Sequence, residues 1–470
     1  MRVLLRKEIR AIVRDGRLTV LAIALLLILI GSLYASNARQ QNLAREKTRI
    51  EQITRQQWDT QGKQHPHRGA HFGHYVFQPD AALSVINPGI ADHVGQALWL
   101  EPHRRNFMRF RPAVDAPPHA RLGLPTPAFM LTSVLPLLII GFAFNAITQE
   151  RETGTLRMLQ GAGLSPARLV AGKLLAQLGI LGIWLTLLLA ATWLFFLKTV
   201  PDSDEVLRTL SLGFGYFVYC LTFCALALAA SALFRHSRTA LLALIMVWAL
   251  FALVVPRLGS SVANASAALP SAEHFWTKIQ QDIENGLPGD DRLDEQVSRF
   301  EAGQLRTHGV SRLEDLPVGI NAARRMFKDA YSDKVHTHHF AVLARQYDAQ
   351  QRTLRYMALL SPSLAMQAFS ETLAGTDMAH QRHFENAAET YRRYVNATLD
   401  GWDADNTRGV TSHDARYADD RLWRSIKHFD YQRPPAAFAW KAALPDFLVL
   451  IAWGVFSTVL LMSVAKRVKP

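Results

Sequence analysis

Cysteine is almost absent from this sequence, because its 470 residues contain only Cys220 and Cys224. The two lie four positions apart in an apolar stretch and therefore fall on one face of a helix. Small lipophilic residues on a helix face are the ordinary interpretation of such a pair. The long polar regions of the chain contain no cysteine, so they cannot be held by disulfides.

Motifs for nucleotide binding and catalysis are also missing. The phosphate-binding pattern GxxxxGK[ST] does not occur, and the GxG at 161–163 lacks both a third glycine and a preceding strand. No GxSxG nucleophile elbow is present either. We therefore expect that the chain is not an enzyme by itself, has no catalytic residues and binds no cofactor.

Charged residues and histidine are absent from six long apolar stretches. These are residues 18–35, 127–147, 174–197, 209–234, 240–255 and 447–464. About 20 residues of helix cross a hydrocarbon core of about 30 Å, so each stretch predicts a spanning helix, the last beginning at 442. The first is longer than the roughly 7–15 apolar residues of a signal peptide and is predicted to remain as an anchor. Proton- or ion-coupled transport is disfavoured because such carriers use charged groups inside the membrane.

Positive charge is abundant, with a formal net charge of +13, and much of it flanks the spans. If the spans alternate in direction, one side receives Arg2, Arg6, Lys7, Arg10, Arg14, Arg17, Arg151, Arg157, Arg168, Lys173, Arg235, Arg238, Lys466, Arg467 and Lys469. Basic residues mark the cytoplasmic side of a membrane protein. The pattern predicts cytoplasmic N and C termini in a bacterial inner membrane, and it disfavours nucleic-acid binding.

The segments between the spans divide the chain further. Those predicted to be cytoplasmic are an amphipathic interfacial helix at 1–17, a loop at 148–173, a turn at 235–239 and a tail at 465–470. Those predicted to be periplasmic are insertions at 36–126 and 256–441 and a short loop at 198–208. Apolar spacing at Phe275, Trp276, Ile279 and Ile283, with further helices predicted at 320–360 and 380–399, makes this module mainly helical. The fold class is thus an all-α polytopic membrane protein.

The 148–173 loop is the most informative segment. A short helix is expected to begin at Thr153 or Gly154, with Glu150 and Glu152 near its positive end. Two glycines end it, and Ser165-Pro166 begins the next helix, which continues into a span. A short helix held between two spans suits docking to a partner. An ordinary amphipathic connector is the alternative interpretation.

This segment closely resembles the coupling helix of type-2 ABC exporter permeases, the ABC-2 class. The resemblance is carried by Glu150, Arg151, Glu152, Thr153, Gly154, Thr155 and Leu156, followed by the Ser-Pro helix start and Gly172-Lys173. It implies that these seven residues sit in a groove of a separate ATPase subunit and transmit its ATP-driven closure. The insertions, and the stretch 360–394, are similar to a bacterial subfamily with an uncharacterised periplasmic domain.

The resemblance also implies the partners and the function. We expect an ABC ATPase that binds ATP and magnesium, a second copy of the permease or a related one, and membrane lipids around the spans. The leading hypothesis is an export permease. The alternative is mechanotransmission, in which ATP hydrolysis moves the periplasmic module to act on a periplasmic partner without transporting cargo.

Two histidine clusters suggest a third, weaker hypothesis, a membrane-anchored metal-binding protein. One consists of His65, His67, His71 and His74, and the other of His336, His338 and His339. Imidazoles at such spacing can bind zinc or copper, and the second cluster supplies the candidate ligands. Solvated or hydrogen-bonded histidines are the alternative for both clusters.

Overall fold

The structure is a computed structural model that describes residues 2–111, 126–196, 202–406 and 417–468. Parts of four predicted segments lie outside these ranges. They are 112–125 of the first insertion, Leu197 at the end of the third span, 198–201 of the short loop and 469–470 of the tail. The helices in chain order are α1 (Arg2–Arg14), α2 (Gly16–Asp59), α3 (Pro66–His71), α4 (Ala91–Val94), α5 (Pro127–Phe129), α6 (Leu135–Ala143), α7 (Thr148–Glu152), α8 (Thr155–Gly161), α9 (Pro166–Phe196), α10 (Ser203–Leu233), α11 (Ser237–Ala249), α12 (Val255–Ser266), α13 (Ala272–Asn285), α14 (Leu293–His308), α15 (Ile320–Ala358), α16 (Pro362–Ala374), α17 (Met378–Asn406), α18 (Asp420–Ser425) and α19 (Ala436–Ala465).

Six helical segments of the described chain are long and apolar enough to cross a membrane. They are Thr19–Asp59, Pro127–Glu152, Pro166–Ala190, Ser203–Leu233, Ser237–Ser266 and Ala436–Ala465. The second and fifth contain short π-helical turns, Met130–Val134 and Leu250–Val254, that join α5 to α6 and α11 to α12. The predicted all-α polytopic class, with six spans, is confirmed.

At one end of the bundle, the segments that carry the basic residues flanking the spans contact one another. Lys7 of α1 contacts Glu150 of α7, and Gln160 of α8 donates to the Val468 carbonyl just after α19. The α10–α11 turn is joined to the same place through Glu152 and Ser237. We call this the terminal end, since the first helix, α1, and the last described residue, Val468, lie here, and we call the opposite one the far end.

The far end is built from the two insertions. Besides helices it holds 3₁₀ turns at Ala82–Val85 and Leu313–Asp315 and a two-stranded antiparallel sheet of β1 (His74–Phe77) and β2 (Ala97–Leu100), in which His74 pairs with Leu100. The segment after Gln64 thus contains a two-stranded sheet. Helix α2 does not stop at the end of the first span but runs on for 44 residues in all, about 66 Å at the rise of an α-helix.

Aromatic clusters form the cores of the far end. In one, Phe275 and Ile279 of α13 pack on Val335 and Phe340 of α15, as the spacing of the apolar residues in α13 predicts. In another, Trp58 at the end of α2 packs edge-on against the fully buried Trp423. The second cluster joins the end of the first spanning helix directly to the second insertion.

Helix α16 belongs to the region predicted to be aqueous, yet it packs against the spans. It begins at Pro362 after the cap Ser361, whose hydroxyl donates to the Phe251 carbonyl of the fifth span at 2.7 Å. A Cβ at Gly215 of α10 would lie 2.3 Å from the ring of Phe369, so the glycine permits this close approach. The helix completes the core between α10 and α19.

A buried carboxylate lies in the sixth spanning helix. Asp446 of α19 falls just before the charge-free stretch at 447–464, and the helix extends past it to Ala436. Its side chain is 2% exposed, and its Oδ2 lies 3.7 Å from Nε of Arg355 on α15. The charge is therefore paired across to the second insertion.

Candidate functional site

Glycine sets the shape of the 148–173 loop. Helix α7 ends at Glu152, Gly154 adopts a left-handed conformation with φ of +77°, and α8 begins at Thr155. Ser165 then accepts from the Arg168 amide, and α9 begins at Pro166, which confirms the predicted Ser-Pro start. Glu150 and Glu152 therefore belong to a preceding helical turn and do not lie at the N-terminus of α8.

Glu150 is joined to two other helices by charge pairs. Its Oε1 accepts from Nζ of Lys173 on α9 at 2.9 Å and from Nζ of Lys7 on α1 at 3.1 Å. Lys173 is 4% exposed and also donates to Glu8 at 2.9 Å. Burial alone would raise the pKa of Glu8, but the charges of Lys173 and Lys7 outweigh it and hold that pKa below its usual value.

Arg151 caps the C-terminus of a spanning helix. Its guanidinium donates to the carbonyls of Phe234 at 2.6 Å and Ala232 at 3.1 Å, which lie at the C-terminus of α10. The last carbonyls of a helix have no partner within it and carry its negative dipole end, so a cation there is favourable.

Glu152 caps the N-terminus of the next spanning helix. It accepts from the backbone amide of Ser237 at 2.8 Å and from the Ser237 hydroxyl at 2.9 Å, at the N-terminus of α11. An anion suits this positive helix end. The two adjacent side chains, Arg151 and Glu152, thus hold the ends of two successive spans.

Leu156 anchors α8 to the bundle. Its side chain is fully buried in the core that also contains Ile147 and Leu169. Burying a leucine contributes about 1.5–3 kcal/mol. Of the seven predicted coupling residues, Glu150, Arg151, Glu152 and Leu156 therefore bind other parts of this chain.

The remaining residues of the segment form an exposed outer face, which comprises Thr153, Gly154, Thr155, Arg157 and Met158. The hydroxyls of Thr153 and Thr155 lie 2.9 Å apart and bond only within the loop. Met158 is 74% exposed although its side chain is apolar. A segment with a tied inner face and an exposed outer face can transmit a force applied from outside.

Comparison with known families decides what this membrane core is. Residues 125–278, from the second span through the fifth, match the family described as ABC-2 family transporter protein. The chain carries an ABC-2 permease domain. The resemblance carried by residues 150–156 is confirmed at the level of the family, and an ABC-2 membrane subunit works with an ABC ATPase partner.

The second insertion matches another family. Residues 272–432 correspond to a domain of unknown function, DUF3526, which covers α13 to α18. No curated protein matches the chain with significant similarity. The matches therefore assign the multi-pass permease core, and the function of the far end has to be inferred from its own residues.

The structure does not bring the predicted metal ligands together. Nδ1 of His336 lies 2.8 Å from the Ser332 carbonyl, and Nε2 of His339 lies 2.8 Å from the carboxylate of Asp282 on α13. His338 is exposed. Burial lowers the pKa of His336, which is therefore held as a neutral, hydrogen-bonded core residue.

Lys7 and Glu8 were not predicted as site residues although they complete the charge cluster around Glu150. Their only signal in the sequence was the basic, amphipathic character of α1, which is equally typical of membrane anchoring. The structure shows that α1 packs on α9 and that Glu8 is buried against Lys173. The interfacial helix is thus bound to the same loop.

Proposed function

We propose that this chain is the permease subunit of an ABC exporter in a bacterial inner membrane and that its 148–173 loop binds the ATPase. ATP and magnesium are bound by that separate subunit. A second copy of the chain, or a related permease, completes the transport pathway. The terminal end faces the cytoplasm in this proposal, which agrees with the basic residues that flank it.

The observation that supports coupling is the set of bonds between the loop and the helices around it. Glu150 bonds to α1 and α9, Arg151 to the end of α10, and Glu152 to the start of α11. Charge-assisted hydrogen bonds are shorter and stronger than neutral ones. A displacement of α7 and α8 by the ATPase would therefore move three spanning helices together.

The outer face of the loop has the composition of a contact surface. Met158, Thr153 and Thr155 offer apolar area and hydroxyl groups, with Arg157 beside them. Methionine and arginine are enriched in protein interfaces, where exposed apolar side chains become buried. We infer that the ATPase groove covers this face.

The test is Met158→Glu in the full chain, co-purified with an ABC ATPase encoded in the same gene cluster. We expect the variant to lose most of the bound ATPase, because a carboxylate would be placed in a desolvated contact. Its thermal stability should be unchanged, since Met158 is exposed. The measurement is the molar ratio of ATPase to permease after affinity purification, together with the rate of ATP hydrolysis.

The matched control is Met326→Glu, the same substitution at a 37% exposed methionine at the start of α15 in the far end. It should retain the ATPase. Equal retention of the ATPase by both variants would overturn the docking proposal.

Mechanotransmission is the second candidate, and the continuity of α2 favours it. One helix runs from the terminal end through the first span to Asp59, and its outer part is tied to the far end by Lys47, which donates to Asp80 at 2.8 Å. The indole of Trp58 donates to the Trp423 carbonyl at 2.9 Å. A movement of the first span would reach the far end with no hinge between them.

Reconstitution in lipid vesicles distinguishes the two candidates. An exporter moves cargo in proportion to ATP hydrolysed. A mechanotransmission permease hydrolyses ATP without net movement of cargo, and its rate changes when a periplasmic partner binds.

An apolar cavity of about 240 Å³ supports contact with lipid. It lies between α1, α2, α6 and α9, and its wall includes Ile12, Leu29, Leu135 and Trp184. An acyl chain of a membrane lipid would fit such a wall.

A further inference from the structure

Three histidines from separate parts of the first insertion converge at the far end. His67 and His71 lie one turn apart on α3, and His103 follows β2. Nε2 of His67 lies 3.2 Å from Nε2 of His71 and 3.2 Å from Nε2 of His103. The same nitrogen atom of all three rings thus points to one place.

The spacing of these nitrogens matches a metal ligand set. Ligands at about 2.0–2.1 Å from a tetrahedral zinc ion are about 3.4 Å from each other. Among the described residues, these histidines are the group whose ligand atoms all lie within 4.8 Å of one another. A small rotation of each ring would admit an ion.

Two of the other ring nitrogens face carboxylates. Nδ1 of His103 lies 2.7 Å from Oδ1 of Asp329 on α15, and Nδ1 of His67 lies 3.5 Å from Oδ1 of Asp400 on α17. Metal-binding histidines almost always donate their second N–H to such an acceptor, which fixes the tautomer with Nε2 free for the ion. Both acceptors come from the second insertion.

The loop that carries His103 is also held rigidly. The Pro102 carbonyl accepts from Asn396 at 2.6 Å and from the buried guanidinium of Arg392, both on α17. Arg392 is itself paired with Glu389 and Asp333. Residues whose neighbours are fixed in this way need little rearrangement on binding.

Charge and access favour a cation at this position. Asp329, Asp400 and Asp403 lie around the histidines, and Arg325 pairs with the latter two carboxylates. Asp329 pairs with His103 and not with Arg325, so its negative charge faces the cluster. His71 and His103 are exposed, so an ion can enter from solvent.

The Nε2 atoms of the three histidines make poorer contacts with each other than they would make with a metal ion. If His103 donates Nδ1–H to Asp329, its neutral form has a bare lone pair on Nε2, which faces the ring of His67. Nδ1 of His67 makes no hydrogen bond, although it is buried and lies 3.5 Å from Oδ1 of Asp400. An ion at Nε2 would hold His67 in the tautomer that directs Nδ1–H to this carboxylate.

We propose that His67, His71 and His103 bind one Zn²⁺ ion through their Nε2 atoms, with a fourth position open to solvent. Three neutral imidazoles and an open position are the ligand set of zinc sites that bind water or another ligand. Asp329 and Asp400 are positioning residues. Because the ligands belong to the first insertion and the positioning carboxylates to the second, the ion joins the two halves of the far end.

The neighbouring histidines have other roles. Nδ1 of His65 accepts from the His67 amide and caps α3, while its other nitrogen faces Asp403. His74 is buried between Trp58 and Tyr391, and burial lowers its pKa to about 4. The first histidine cluster of the sequence therefore supplies two of the three ligands, and His103 supplies the third.

The experiment uses the full-length protein in detergent, stripped with EDTA and then dialysed against a graded series of Zn²⁺ concentrations. Metal is measured by mass spectrometry. We expect one zinc per chain, with more than about 100-fold weaker binding in H71A and in H103A, and about 10–100-fold weaker binding in D329N. H338A, an exposed histidine outside the cluster, is the matched control and should bind as the unmodified chain does.

The absorption of bound cobalt is a second measurement. Replacing a histidine that has only a structural role would not change it. Co²⁺ in a tetrahedral site absorbs visible light strongly, and this absorption should appear with the unmodified chain and H338A but not with H103A. Circular dichroism confirms that each variant is folded. Binding that persists in H71A and H103A, or no zinc above the background of a protein without the cluster, would overturn the proposal.

Discussion

The two ends of the molecule are built on different principles. At the terminal end, a short loop is tied to the spans mainly by charged groups, with Glu150, Lys173 and Arg151 at its centre. At the far end, long helices pack around aromatic cores such as that of Phe275 and Phe340. The loop depends on a few strong contacts and the aromatic core of α13 and α15 on many weak ones, so single substitutions should separate them.

The largest effect is expected for Lys173→Met. Lys173 is buried and pairs with both Glu8 and Glu150, so its removal leaves these carboxylates paired with the more exposed Lys7 in place of a buried cation. Breaking a buried ion pair costs about 3–5 kcal/mol. We expect a large fall in the melting temperature of the detergent-solubilised chain and loss of ATPase binding.

A second substitution tests whether charge is the cause. Lys173→Met combined with Glu8→Gln leaves Lys7 to pair with Glu150 alone and should recover part of the stability. If the double variant is no more stable than the single one, the effect of Lys173 comes from packing.

A small effect is expected for Ile279→Val at the far end. Ile279 is 2% exposed in the aromatic core of α13 and α15. Removing one methylene from such a core costs about 0.5–1.5 kcal/mol. Thermal unfolding should report this loss while ATPase binding stays unchanged, and a loss of ATPase binding would show that the two ends are not separable.

What could be predicted from the sequence depended on how local the feature is. The spans, the Ser-Pro start of α9 and the apolar face of α13 are each encoded within a few turns of helix, and the structure confirms them. The seven residues 150–156 were also recognised because they are contiguous. Their division into an inner and an outer face was not predictable, because it depends on partners such as Ser237 and Lys7.

The histidines illustrate the same limit. His336, His338 and His339 are close in sequence, yet helical geometry and the carboxylate of Asp282 direct them apart. The convergent set includes His103, which lies beyond the β1–β2 hairpin and reaches His67 only through tertiary folding. Helix α16 was missed for a related reason, since its burial depends on the close approach at Gly215.

Cross-linking at the outer face of the loop tests the central claim most directly. Cys220 and Cys224 are buried in α10, so Thr155→Cys introduces an accessible thiol at the proposed contact. The account predicts that a short bifunctional reagent joins this thiol to the ATPase, whereas Met326→Cys at the far end gives no such product. The account would be contradicted if Thr155→Cys gave no cross-link in an assembled, ATP-hydrolysing complex, or if both positions reacted equally.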